Sequence, residues 1–124
     1  MIKKNAVNWF EIPTSNFDKA LEFYNVIFGI NMQVQDFQGM KMAFFPCDKG
    51  AVGGAIIHHE WYKPSDKGTI VYLNAEPDLE KVLSKVGKAG GKIVIQKKLI
   101  TDEIGYIGVF EDTEGNRVAL HSMK

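Results

Sequence analysis

The chain is written twice. Phe17, Ala20, Leu21, Tyr24 and Phe28 form one amphipathic stripe, and Leu79, Val82, Leu83, Val86 and Gly90 form another at the same spacing. Phe17 answers to Leu79, Leu21 to Leu83 and Gly29 to Gly91, each pair 62 positions apart in a chain of 124. Ser15 is placed to cap the first helix, with Asp18 three residues on, and Gly29 supplies its left-handed stop. Pro77 and Asp78 open the second helix, and Gly90 and Gly91 close it. A β-branched and aromatic run precedes each helix, Val7 to Ile12 and Thr69 to Asn74. Three further strand candidates follow each: near 31–35, 41–45 and 53–59 in the first half, and near 92–96, 106–110 and 117–122 in the second. Each half therefore reads β-α-β-β-β.

Such a unit has four strands and one helix, and the helix covers only one face of its sheet. The bare face must meet the other copy, a second chain or a ligand. The expectation is an α+β fold, one domain over residues 1–124, with two βαβββ modules in tandem forming a cup-shaped, partly open curled sheet. Module one spans approximately 5–60, a linker 60–67, and module two 68–124. A concave pocket between bare sheet faces is where a small-molecule site is expected.

Composition narrows the partners. Fifteen basic residues balance fifteen acidic ones. That leaves no electrostatic reason to expect nucleic acid or an anionic membrane. The single cysteine, Cys47, allows no intrachain disulfide and no cysteine-rich zinc site, and reads as a buried or half-buried spectator thiol. The start, Met1-Ile2-Lys3-Lys4-Asn5, is basic but no apolar run of signal length follows it, and no stretch approaches the roughly 20 apolar residues of a membrane span. A cytoplasmic protein is expected.

Several short motifs carry a resemblance: Trp9-Phe10-Glu11-Ile12-Pro13, Ala20-Leu21-Glu22-Phe23-Tyr24 leading to Phe28-Gly29, Val71-Tyr72-Leu73-Asn74, Ala89-Gly90-Gly91-Lys92, and Phe110-Glu111-Asp112-Thr113-Glu114-Gly115-Asn116-Arg117. In this order and spacing the chain resembles the vicinal oxygen chelate superfamily, which includes glyoxalase I, bleomycin-resistance proteins and extradiol dioxygenases. It is most similar to the short glyoxalase-like branch. The resemblance implies the paired-module fold and, for metal-dependent members, two ligands per module, one from its first strand and one from its last. Carried onto this sequence, those positions fall at Trp9, Ile70 and Ala119, with the fourth in the Ala55-Ile56-Ile57-His58-His59 strand, where matching Gly50 to Gly115 sets Gly54 opposite Ala119 and His58 on the same face. Indole, aliphatic and methyl side chains donate no lone pair to a cation. No metal or other cofactor is expected at the usual place; a divalent ion in an altered site is the disfavoured alternative.

Alternation along the strands nominates the cup lining. Phe10 and Ile12 go under the helix while Trp9 and Glu11 face the cup. Ile70, Tyr72 and Asn74 stand opposite, and Arg117, Ala119 and His121 share their side. The candidate ligand-binding residues are therefore Trp9, Glu11, His58, Tyr72, Asn74, Arg117 and His121. Trp9 is either a stacking platform or a plug in the space a metal would fill. Glu11, a carboxylate in an otherwise apolar strand, is expected to be desolvated, which makes it the candidate general acid or base. The alternative is a structural glutamate bound to Tyr72 or paired with Arg117. His59-Glu60-Trp61-Tyr62 offers a lid over the cup or a dimer contact.

Three functional readings follow. The first is a metal-free small-molecule-binding protein, as the likeness to bleomycin-resistance members implies. The second is a lyase- or isomerase-type enzyme of the glyoxalase kind with Glu11 moving protons. The third is a structural or regulatory protein with a vestigial, self-filled cup. The resemblance and the open sheet edges imply a homodimer.

Overall fold

A computed structural model describes residues 4–124, so Met1, Ile2 and Lys3 of the basic start lie outside the described residues. The elements run β1 (Trp9–Pro13), α1 (Phe17–Phe28), β2 (Gln33–Phe37), β3 (Met40–Phe44), β4 (Gly53–His58), β5 (Tyr72–Asn74), α2 (Glu80–Leu83), β6 (Lys92–Thr101), β7 (Gly105–Glu111) and β8 (Arg117–Ser122). They form two four-stranded sheets of matching order, β1-β4-β3-β2 and β5-β8-β7-β6. In each, the first strand lies parallel to the last and the other pairs are antiparallel. The duplicated βαβββ plan of the sequence is thus the architecture of the molecule. Among the described residues no helix is long and apolar enough to cross a membrane.

Local chemistry departs from the sequence expectation at three places. Asn16, not Ser15, caps α1: its Oδ1 accepts from the Lys19 amide at 3.2 Å. Ser15 is drawn away because its hydroxyl donates to Glu114. Gly29 does end the helix in the left-handed region, φ 63°, and satisfies the Asn25 and Val26 carbonyls. α2 is far shorter than its stripe suggests. Past Leu83 the chain continues in tight turns to Gly91, since Ser84, Gly87 and Gly90 propagate a helix poorly. β6 runs five residues beyond its expected end at 96, tracking β7 through repeated irregularities in register.

The two halves share one core. Phe23 and Tyr24 of α1 reach across to Phe110 of β7, with ring centroids 5.7 and 6.3 Å apart. Such aromatic pairs contribute about 0.5–1.5 kcal/mol each beyond the area they bury. Gly91 makes this approach possible: a Cβ there would meet the Glu111 carbonyl and the Phe23 ring, each at 2.6 Å. Beside the aromatic seam, the buried Tyr24 hydroxyl donates to Asp112 Oδ2 at 2.8 Å. Asp112 Oδ1 accepts from the Glu114 and Asn116 amides at 2.8 and 2.9 Å. The Asn116 side chain donates to Asp112 Oδ2 at 3.0 Å and to the Pro13 carbonyl at 2.8 Å, and accepts from the Ser65 amide at 3.0 Å. Glu114 in turn takes the Ser15 hydroxyl and the Asn16 amide, the latter at 2.6 Å. The turn between β7 and β8 thereby ties together β1, the start of α1 and the linker.

Burial pushes the Asp112 carboxyl above its usual value, against hydrogen bonds from Tyr24 and Asn116 that pull the other way. Burial and then the Asp112 charge raise the Tyr24 hydroxyl well above its usual value. Burial also works against the Glu114 charge, yet the Ser15 and Asn16 donors outweigh it and hold that carboxyl below its ordinary 4.5.

Two outcomes follow from this seam. Gly91→Ala must displace backbone or the Phe23 ring, and urea unfolding should show a loss of about 1–3 kcal/mol. Glu114→Gln should cost about 1–2 kcal/mol at neutral pH by weakening charge-assisted hydrogen bonds. Because the folded value lies below the unfolded one, this contribution is complete above 4.5 and fades as pH falls through the folded value. Denaturation of both proteins at pH 7 and at acid pH should therefore show the gap closing.

Candidate functional site

Alternation in β1 puts Phe10 and Ile12 against the core and leaves Trp9 and Glu11 on the opposite, open face. β5 repeats this: Val71 and Leu73 pack inward, while Ile70, Tyr72 and Asn74 are exposed. A cleft opens between these first strands. Its volume is about 760 Å³, and Trp9, Glu11, Tyr72 and Arg117 line it together with Lys63 and Lys67 from the linker. A second hollow of about 520 Å³ lies on the far side of Tyr72. Asn74 and His121 line it with Ile100, Ile104 and Ile107. Tyr72 is the ridge between the two.

The seven candidate residues are thus divided. Trp9, Glu11, Tyr72 and Arg117 share the larger cleft, and Asn74 and His121 occupy the smaller one with Tyr72. His58 belongs to neither. β4 pairs with β1 so that Gly53 and Ala55 stand opposite Trp9 and Glu11, which sends Gly54, Ile56 and His58 to the helix side. His58 lies instead by the start of α1, its Nδ1 donating to the Thr14 carbonyl at 3.0 Å. Matching Gly54 to Ala119 was one residue out of register: Ala55 faces Glu11 as Ala119 faces Tyr72. In a strand, that one-residue slip exchanges the faces.

Glu11 also differs from expectation. It is exposed rather than desolvated, and it accepts from Trp9 Nε1 at 3.3 Å instead of engaging Tyr72 or Arg117. The Arg117 guanidinium leans on Glu111, with Nε 3.8 Å from Oε2. His121 Nε2 donates to the Ile104 carbonyl, which fixes the ring over the smaller hollow. Trp9 is 44% exposed with its ring 5.9 Å from that of Phe44, and Tyr72 is 56% exposed, so both present open aromatic surface. Cys47 is exposed rather than buried, its sulfur beside Gly53. Reading the first-strand residues alone did not reveal Lys63 and Lys67. Their position depends on where the linker crosses β8, which the Ser65 to Asn116 hydrogen bond sets.

The last-strand positions facing the open side hold Ala55 and Ala119, and the first strands offer Trp9 and Ile70. Among the described residues no three His, Cys, Asp or Glu stand close enough together to hold an ion. These side chains do not fit a metal at that place.

A family model described as the Glyoxalase/Bleomycin resistance protein/Dioxygenase superfamily matches residues 6–120. No curated protein matches the chain by sequence. Among solved structures, a glyoxylase/bleomycin resistance protein/dioxygenase domain from Frankia sp. EAN1pec is 14% identical with a TM-score of 0.73, covering 98% of this chain and 100% of that one. TnmS3, an antibiotic binding protein from Streptomyces sp. CB03234, is 19% identical with a TM-score of 0.64, covering 98% of each chain. A glyoxalase I mutant from Zea mays is 17% identical with a TM-score of 0.68; the match takes in 93% of this chain but 46% of the maize protein.

Proposed function

Because the chain belongs to the Glyoxalase/Bleomycin resistance protein/Dioxygenase superfamily, we propose that it binds a small organic molecule in the cleft between its modules, with no metal at the superfamily's usual position. One observation carries the reading. A cleft of about 760 Å³, within the range of small-molecule sites, is lined by the exposed Trp9 indole, at a position where a coordinating side chain would stand, and by the exposed Tyr72 phenol. An antibiotic-binding protein among the structural neighbours supports the same class of function. An open cleft of that size also weighs against a cup filled by its own side chains. We further propose a homodimer in the cytoplasm. In its support, the edge strand β2 is exposed along its whole length and presents Val34 and Phe37.

The lyase or isomerase reading assigns proton transfer to Glu11. That carboxylate lines the cleft, which supports it, but it lies in solvent and is held by Trp9 Nε1 rather than set in an apolar pocket.

Elemental analysis of the purified protein, with thermal melts in the presence and absence of divalent cations, tests the metal-free reading. No stoichiometric metal and no cation-dependent shift are expected; either one overturns it. A ligand found by thermal-shift screening should lose about 1–3 kcal/mol of affinity in Trp9→Ala, with little change in melting temperature, because the ring is half exposed. Glu11→Gln should leave that affinity within a few-fold. Abolished turnover with unchanged binding would instead establish the enzyme.

A further inference from the structure

Charge around the cleft is not distributed as in the chain as a whole. The sequence is neutral, yet the cleft gathers Lys63, Lys67 and Arg117 against one carboxylate, Glu11. Glu11 is already engaged by Trp9 Nε1. The cations are only loosely committed. Arg117 Nε is 3.8 Å from Glu111, and Lys67 Nζ is 3.7 Å from Asp66 in a pair exposed to solvent. Lys63 takes part in no ion pair among the described residues. Exposed pairs of this kind are worth little and are readily exchanged for a better acceptor. Much of the remaining lining is aromatic or apolar, with Trp9 on β1, Tyr72 on β5 and side chains such as Val7 and Val52.

From this division we infer that the ligand is an aromatic anion: a planar ring system bearing a carboxylate or phosphate, its ring against Trp9 and Tyr72 and its charge toward Lys63, Lys67 and Arg117. The inference rests on the cleft being the binding site and adds the class of compound it selects. Arginine presents a planar fork that suits a carboxylate or a phosphate. The two lysines come from the linker between the modules, so the anion would be met by a segment outside both sheets.

The experiment uses the full chain carrying Trp61→Phe, which leaves Trp9 as the sole indole reporter; Trp61 is 79% exposed, so its replacement spares the core. Quenching of Trp9 fluorescence is titrated with naphthoate, naphthyl phosphate, naphthylmethanol and naphthylmethylammonium, which share one ring and differ in charge. At least one of the two anions should bind roughly ten-fold more tightly than the neutral alcohol, and the ammonium compound most weakly. Raising the salt concentration should erode the anion's advantage without weakening the alcohol. Lys63→Gln and Arg117→Gln should each reduce anion binding several-fold, with melting temperatures reported alongside. Equal binding of all four compounds, or indifference to salt and to both substitutions, would overturn the anion selectivity while leaving the cleft as a binding site. Absence of Trp9 quenching by every compound would overturn the cleft reading as well.

Discussion

The contact between Tyr24 and Asp112 lets two weakly covered sheets become one molecule. A single βαβββ module buries only one face, and α2 is a single turn that covers less of its sheet than α1 does. α1 makes up the difference. It buries Phe23 and Tyr24 against Phe110 of the other module and places the Tyr24 hydroxyl on a carboxylate that is itself buried. A buried carboxylate is costly unless its lone pairs are filled. Asp112 fills them from Tyr24, from the Asn116 side chain and from the amides of its own turn. Asn116 then passes the constraint on to Pro13 at the end of β1 and to Ser65 in the linker. The cleft is bounded by these same segments, so the network that locks the modules also fixes the distance between its walls.

What could be read in the sequence was whatever recurs with a short period. The stripe on α1, the alternation of Trp9 and Glu11 with Phe10 and Ile12, and the pairing of Tyr72 with the open face all follow from side-chain direction within one element. His58 failed because its face depends on pairing between strands, and the turn residues used to align β4 with β8 sat one position out. Ser15 failed as a cap because its partner is Glu114, almost a hundred residues away. Glu11 was expected to be desolvated because its strand is otherwise apolar, yet the cup side that it faces is open enough to leave it exposed. The Asp112 to Asn116 turn was visible as turn chemistry, but its grip on β1, α1 and the linker is a tertiary fact with no local signal.

The family and the site say different things, and the difference has a physical basis. Packing of the paired modules needs glycine at close approaches, apolar residues under the helices and the polar turn. All of these lie on the helix side or at the seam. The exposed positions of the open face, such as Trp9, Glu11 and Tyr72, carry few of those demands, and a fold does not fix what stands there. Ala55 and Ala119 occupy corresponding places there, beside Glu11 and Tyr72, and are buried. Any ligand in the proposed cleft would be met by the side chains along its walls.

Those walls are unlike in kind. Trp9 and Tyr72 come from paired strands whose backbone is fixed by the sheets, so the aromatic surface is in place before anything binds. Lys63 and Lys67 come from the linker, which is held to the turn between β7 and β8 by the hydrogen bond from Ser65 to Asn116. In the proposed reading these two sources would divide recognition: the rings would set the shape of what enters, and the linker lysines would meet its charge. The neutrality of the whole chain conceals this, because a formal charge of zero sums over positions that never meet. Counting charges gave no electrostatic reason to expect partners that recognise the surface as a whole, such as nucleic acid, but it carried no information about a concavity where three cations outnumber one carboxylate.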